Sequence, residues 1–233
     1  MTTALNLPNQ ITFGRLILAI AFFALLSQYT QRAPNPALLD AAAALFIIAA
    51  LTDFLDGYLA RKWRQVTTLG RVLDPLVDKV LVCGAFILFA GPSFVNEAGE
   101  NVTEVRAWMV VVIVGRELLV TGLRGFNESI GQSFGASLYG KIKMWMQSIA
   151  APTILFIIAH EDAVGSSSAG LKRTLAWLTT IVTALSMVQY LIRSRHILHV
   201  ASPLVGDEER GSAPPTRGDA TFQVPSMKAR PRE

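Results

Sequence analysis

Apolar residues in this chain gather into six blocks, 11–29, 37–60, 75–91, 107–125, 141–159 and 174–192, separated by short polar segments. An α-helix needs about 20 such residues to cross a hydrocarbon core of about 30 Å. Each block therefore predicts a transmembrane helix, and together they predict an all-α integral membrane protein with six transmembrane helices in one bundle. The third block is short, and the second is long enough to project from the bilayer at one end. From residue 202 the pattern gives way to Pro, Gly and charge without periodicity. Such a segment cannot bury enough apolar surface to order itself. The expected organisation is a catalytic-sized membrane domain over residues 1–201 and a disordered tail over 202–233.

Composition agrees with this pattern. Of 233 residues, 52% are hydrophobic and 16% charged, and the mean hydropathy is +0.42, a membrane balance rather than a soluble one. The first nine residues hold no Lys or Arg to form the positive region of a signal peptide, and no small-residue cleavage site follows, so the first block predicts a retained helix. Basic residues fall on alternate segments: Arg61, Lys62, Arg64 and Arg71 after the second block, Lys141 and Lys143 before the fifth, Arg193 and Arg195 after the sixth. The positive-inside rule then puts both termini and the residue 61–71 segment in the cytoplasm. Trp63, Trp108, Trp145 and Trp177 lie near predicted helix ends, as an interfacial belt requires. Topology and anionic lipid account for the pI of 9.5, and no interleaved basic and aromatic surface points to nucleic acid. Cys83 stands alone in an apolar helix and reads as packing. His160, His196 and His199 have no partners at zinc spacing.

One stretch contradicts the apolar pattern. In DFLDGYLARKWRQVTTLGRVLDPLVDK, residues 53–79, four aspartates sit where two spans meet. Asp53, Asp56, Gly57 and Ala60 share a helix face by their spacing, and Arg61 extends it. Gly57 and Ala60 leave room for a ligand against the backbone. Asp74 followed by Pro75 has the order of an N-cap and first helical residue, which places Gly70 in the connecting loop. Asp78 follows about 6 Å along the axis. Four ionised carboxylates so close together repel, so some are protonated, or ion-paired to neighbouring Arg and Lys, or bound to cations. Ionisable residues at membrane depth are functional by default. An all-oxygen set without His or Cys selects hard cations such as Mg²⁺ or Mn²⁺, and two such ions can clamp the attacking and leaving oxygens of a phosphoryl centre.

The pattern Asp53-x-x-Asp56-Gly57-x-x-Ala60-Arg61, then Gly70-x-x-x-Asp74-x-x-x-Asp78, resembles the complete signature of the CDP-alcohol phosphatidyltransferases. Eight specified residues over 26 positions make the likeness specific. The resemblance implies a six-helix membrane enzyme in which Asp53, Asp56, Asp74 and Asp78 bind two divalent metals. It also implies Asp78 as general base and Gly57, Ala60 and Arg61 as holders of the CDP group. Residues 6–18 (NLPNQITFGRLIL), 115–124 (GRELLVTGLR) and 140–147 (GKIKMWMQ) are similar to the bacterial phosphatidylglycerophosphate synthase branch. The amino-terminal likeness adds Asn9 and Thr12, and the signature adds Gly70, to the CDP-binding set. The branch likeness departs at GFNES, 125–129, and at Met144.

Arg116 and Arg124 stand eight residues apart, about 80° around a helix, and so share a side. Guanidiniums on a membrane helix need anionic partners. Glycerol 3-phosphate would bring one, with Lys141 and Lys143 adding charge nearby; the alternative is that Glu117 neutralises one arginine while the others reach lipid headgroups. The expected reaction is transfer of the phosphatidyl group of CDP-diacylglycerol to glycerol 3-phosphate, releasing CMP, at the cytoplasmic face of a bacterial inner membrane. Rival readings are another acceptor, serine or inositol phosphate, an aspartate-rich prenyltransferase, or a cation transporter. Homodimers are common in the family, so a second copy joins membrane lipids as a candidate partner.

Overall fold

The computed structural model describes residues 7–63, 68–129 and 138–208, with backbone alone for 7–12, 53–63, 68–75, 78, 128–129, 138–139, 141 and 193–208. Its long helices are α1 (Leu7–Gln28), α2 (Pro36–Trp63), α3 (Thr68–Phe89), α4 (Ala107–Ser129) and α5 (Leu138–Ala159); a short α6 (Glu161–Val164) precedes the long α7 (Ser168–Glu208). Among the described residues there is no strand, and one isolated bridge joins Val95 to Asn101. Each apolar block thus falls largely within one long helix. Two described stretches, Ile142–Ala159 and Glu161–Ile192, are long and apolar enough to cross a membrane, and Phe13–Gln28, Pro36–Thr52 and Lys79–Phe89 are shorter apolar helices.

The second helix begins where its sequence instructs it to. Asn35 Oδ1 accepts the backbone N–H of Ala37 at 3.1 Å, and Pro36 at the first helical position supplies no N–H that would need a partner. Its 28 residues extend about 42 Å at 1.5 Å per residue, which exceeds a hydrocarbon core of about 30 Å.

The third helix corrects the sequence reading. It starts at Thr68, six residues before Asp74, so Asp74 is not an N-cap and Gly70 lies inside the helix rather than in a loop. The reason is a stripe that runs backwards past Pro75: Leu69, Val72, Leu73, Leu76 and Val77 keep the i, i+3, i+4, i+7, i+8 spacing of one helical face. Against that stripe Pro75 forfeits a single backbone bond, to the carbonyl four residues earlier. The seventh helix likewise extends past the sixth apolar block, from Ser168 to Glu208. Its last seven residues enter the segment assigned to the tail; residues 209–233 lie outside the described ones.

The chain divides into two compact units, Met1–Arg193 and Ser194–Glu233. In the first, α1 packs on α2 and α3, and α2 packs on α5. Phe22 meets Phe46 edge to face at 5.6 Å and Phe86 meets Phe89 at 5.8 Å. Small residues on facing helices, Ala42, Ala43 and Ala49 of α2 with Ala150 and Ala151 of α5, are buried; they let backbones approach where lipid offers no competing hydrophobic drive. Large aliphatics point outward instead: Ile17, Val111 and Leu118 are each about two-thirds exposed. In water that arrangement would be unfavourable, and in hydrocarbon it costs nothing. The second unit includes the helical end of α7.

The connection from α3 to α4 is ordered by its own polar side chains. The Phe89 carbonyl, left without a helical partner at the end of α3, accepts Asn101 Nδ2 at 2.8 Å and Thr103 Oγ1 at 3.0 Å. Glu104, in the left-handed region at φ 61°, accepts both Arg173 Nε and Nη2 at 3.1 Å. Lys172 donates to Glu161 at 3.0 Å.

Gly84 of α3 lies close against Phe23 of α1. A Cβ added at Gly84 would stand 2.4 Å from Phe23 Cζ, and the Phe23 ring is itself held edge to face by Phe22 at 5.2 Å. Gly84→Ala is expected to destabilise the bundle by about 1–3 kcal/mol through overpacking, read as a lower Tm of the detergent-solubilised protein. An unchanged or raised Tm would show that Phe23 swings aside without cost.

Candidate functional site

The four aspartates lie on the facing ends of two consecutive helices. Asp53 and Asp56 sit in the last three turns of α2, Asp74 and Asp78 in the first three turns of α3; α2 and α3 pack together. Their side chains, with those of Gly57, Ala60, Arg61, Gly70, Asn9, Thr12 and Lys141, lie outside the described residues, so the backbone places these positions on α1, α2, α3 and α5 and no more. As a donor set, four carboxylates suit a divalent hard cation. Among the described residues no cluster of three or more His, Cys, Asp or Glu could hold a metal.

Immediately inward of the aspartates is an apolar cavity of about 530 Å³. Its walls come from Phe46, Ala50 and Leu51 of α2, Leu81 and Val82 of α3, Met144, Trp145 and Pro152 of α5, and Arg15 of α1. Leu51 precedes Asp53 by two residues and Leu81 follows Asp78 by three, so the cavity ends where the carboxylate positions begin. Arg15 is 1% exposed and is the cation on this otherwise apolar lining. The combination suits an amphiphile with an anionic head.

A second feature is a charged cluster enclosed by α4, α5 and α7. Glu117 Oε1 accepts Lys143 Nζ and, at 3.3 Å, Arg116 Nη1; Arg116 Nη2 donates to Ser186 Oγ at 2.7 Å. One turn further along α5, Gln147 Nε2 donates to Thr183 Oγ1 at 3.3 Å. All six side chains are buried. Burying ions is tolerable when geometry and hydrogen bonds satisfy them, and here Arg116 and Lys143 both donate to Glu117. Among the described residues Arg116 Nε is buried with no hydrogen-bond partner. An unused donor on a buried cation is suited to an anion.

By helix rise, Asp78 and Glu117 stand at a similar height. Asp78 lies 11 residues before the end of α3 at Phe89 (89 − 78), and Glu117 lies 10 residues after the start of α4 at Ala107 (117 − 107). At 1.5 Å per residue these are about 16 and 15 Å from the same end of two neighbouring antiparallel helices.

Of the arginines expected to share a site, the structure brings Arg116 into this cluster and leaves Arg124 exposed. The extra turns explain it: the about 80° offset between them is enough to carry Arg124 off the buried face. Lys143, first read as adding charge at the edge of a site, is 6% exposed and sits at its centre. Gln147, Thr183 and Ser186 were not singled out from sequence. Their signal was present in the polar stripe Thr179, Thr183, Ser186 at i, i+4, i+7 within an otherwise apolar helix, since polar residues of membrane helices face the bundle interior.

Comparison with known proteins supplies an independent line. A family model described as CDP-alcohol phosphatidyltransferase matches residues 5–191. A Bacillus subtilis (strain 168) protein named CDP-diacylglycerol--glycerol-3-phosphate 3-phosphatidyltransferase is 35% identical, over 84% of this chain and 99% of its own. Proteins with the same name from Sodalis glossinidius and Escherichia coli K12 are 32% and 34% identical, over 83% and 82% of this chain and 97% and 95% of theirs.

Among the described residues, the hydrogen bond from Arg116 to Ser186 ties α4 to α7 in this cluster. Ser186→Ala is expected to leave a buried guanidinium nitrogen unsatisfied and to cost about 1–3 kcal/mol, seen as a reduced Tm in detergent. A Tm equal to that of the unaltered protein would show that the hydroxyl does not hold the arginine.

Proposed function

The chain belongs to the CDP-alcohol phosphatidyltransferase family, and on that premise we propose that it transfers the phosphatidyl group of CDP-diacylglycerol to glycerol 3-phosphate, giving phosphatidylglycerol phosphate and CMP. One observation supports the choice of acceptor: the buried Arg116, whose Nε has no hydrogen-bond partner among the described residues, beside Lys143 and at a height similar to that of Asp78. A phosphate-bearing acceptor offers that donor a net anion, whereas zwitterionic serine brings its carboxylate together with an ammonium.

Donor and acceptor approach from different sides in this reading. The apolar cavity beside Arg15 takes an acyl chain of the liponucleotide, while Gly57, Ala60, Arg61, Gly70, Asn9 and Thr12 hold the CDP group by analogy with the family. Arg116 and Lys143 take the acceptor phosphate, with Arg124 and Lys141 in the outer approach. Asp78 accepts the proton of the primary hydroxyl of glycerol 3-phosphate. The resulting oxygen attacks the phosphorus attached to diacylglycerol, the bond from that phosphorus to the bridging oxygen breaks, and CMP departs with that oxygen. Asp53, Asp56, Asp74 and Asp78 would hold Mg²⁺ or Mn²⁺, which when bound would supply positive charge to the developing phosphoryl transition state. No covalent intermediate on the protein is required.

We further propose that α1 to α5 and α7 form six transmembrane helices within a 1–201 membrane domain. The aspartates and both termini then face the cytoplasm of a bacterial inner membrane, the 202–233 segment follows as a tail, and a second copy is available for dimer formation. The length of α2 supports this reading, because its end carries Asp53 and Asp56 beyond the hydrocarbon to where a soluble acceptor can arrive.

Two measurements test the reaction. Purified protein incubated with CDP-diacylglycerol and a panel of acceptors should release CMP with glycerol 3-phosphate, should lose that activity to a chelator and should regain it with Mg²⁺ or Mn²⁺; turnover with serine alone would overturn the acceptor. Asp78→Asn should lower kcat by about 10²–10⁴-fold, the range for loss of a general base, with near-normal kcat removing Asp78 from that role.

A further inference from the structure

The end of the bundle away from the aspartates holds a polar cavity of about 480 Å³ that takes no part in the proposed reaction, and its size is that of a small-ligand site. Two ion pairs fix its walls. Glu104 accepts Arg173 Nε and Nη2, each at 3.1 Å, and Glu161 accepts Lys172 Nζ and Ser168 Oγ, each at 3.0 Å. Lys172 is 2% exposed, so its ammonium belongs to the wall. The pairs tie the start of α7 to the segment before α4 and to α6.

Two acids and two bases of the lining are thereby engaged, and Glu100 and Arg106 remain. Both line the cavity and are exposed, and neither side chain makes a hydrogen bond or ion pair among the described residues. Glu100 is held in place through its backbone, since its N–H donates to Asn96 Oδ1 and its carbonyl accepts the Asn96 N–H, both at 2.9 Å. Arg106 directly precedes α4. A carboxylate and a guanidinium that line one cavity without pairing to each other match a ligand carrying both charges, an anion for the guanidinium fork and an ammonium for the carboxylate.

The surroundings of the cavity identify the rest of that ligand. Trp108 and Trp177 meet edge to face at 5.3 Å, each 44% exposed. Trp108 follows Arg106 by two residues, and Trp177 follows Arg173 by four, one turn along the same face of α7. Tryptophans so placed mark the level of phospholipid headgroups. Past them the exposed side chains are apolar: Val111 and Leu118 on α4, Ile181 and Leu185 on α7. Charged cavity, aromatic collar and apolar lane follow one another in the order of an amphiphile's own parts.

We propose that this cavity binds the headgroup of a zwitterionic phospholipid with a primary ammonium, its phosphate on Arg106 and its ammonium on Glu100, the acyl chains passing Trp108 and Trp177. A primary ammonium donates hydrogen bonds to a carboxylate, and a quaternary one has none to give. An anionic headgroup without an ammonium meets Arg106 but is opposed by Glu100. Phosphatidylethanolamine is therefore preferred to both phosphatidylcholine and phosphatidylglycerol. The site rests on the bilayer placement proposed above and stands whichever acceptor the enzyme uses.

The test uses the full-length protein in detergent, stripped of lipid and titrated with the dioleoyl form of each of these three lipids, bound lipid being counted by native mass spectrometry. Saturable binding of one phosphatidylethanolamine is expected, about tenfold tighter than of either other lipid, a factor equal to about 1.4 kcal/mol. Arg106→Gln is expected to weaken it about tenfold, as loss of a charge-assisted bond does, while CMP release stays within about twofold. Glu100→Gln is expected to abolish the preference over phosphatidylglycerol, weakening one lipid and strengthening the other. Equal binding of the three lipids, or phosphatidylethanolamine binding that neither variant changes, would overturn the proposal. Competition by free phosphoethanolamine at about the lipid's own affinity would also overturn it, since that marks the site of a soluble ligand. If Arg106→Gln does not fold, Glu100→Gln decides, because a shift in preference between two lipids is not produced by loss of folding. Protein that stays monodisperse in buffer without detergent would remove the bilayer placement and this site together, whereas detergent-dependent protein with no lipid preference removes the site alone.

Discussion

Two cations and a carboxylate withdrawn from water fix how α4, α5 and α7 meet. Each of the three charged side chains, left alone in an apolar bundle, would cost several kcal/mol. Glu117 accepts from both cations and Ser186 accepts from Arg116, and these bonds form only when the three helices stand at one rotation and one height. Apolar packing in a membrane supplies no such instruction, because lipid tails are as apolar as the side chains that would face them. The polar cluster therefore sets the register of this half of the bundle, and the same atoms that set it are those proposed to take an anionic acceptor.

The opposite end of the bundle is organised by a different device with the same logic. There the carbonyl that ends α3 is satisfied by Asn101 and Thr103, and Arg173 with Lys172 ties α7 to Glu104 and Glu161. These pairs surround a polar cavity of about 480 Å³ whose lining acids and bases are in balance. Ion pairs at this exposed end contribute little stability each. Their value lies in orienting the connection between α3 and α4, and hence the relative height of Asp78 and Glu117.

Much of this was legible in the sequence. Apolar blocks of spanning length gave the helices, because the bilayer imposes a length that composition must meet. The aspartate motif gave the family, because eight specified residues leave little room for chance. What escaped was governed by periodicity read too locally. Asp74-Pro75 has the form of a helix start, but the longer stripe from Leu69 to Val77 outweighed it, and α3 began at Thr68. The arginine pair failed for the opposite reason: an 80° offset looks like one side on a helical projection, yet a buried face is narrower than that, and Arg124 came out exposed. Lys143 and Glu117 could not be paired from sequence at all, since their contact joins residues 26 apart on different helices.

The fifth helix links these parts in a way that neither motif nor family match reveals. Met144, Trp145, Ser148 and Pro152 line the apolar cavity, while Lys143 and Gln147 enter the charged cluster. Neighbouring positions thus serve opposite faces, as a period of 3.6 residues demands. In the proposed reading a greasy donor lies along one side of α5 and a phosphate acceptor along the other, so one helix orders both substrates, and positioning by the bundle itself removes part of the entropy cost of bringing them together.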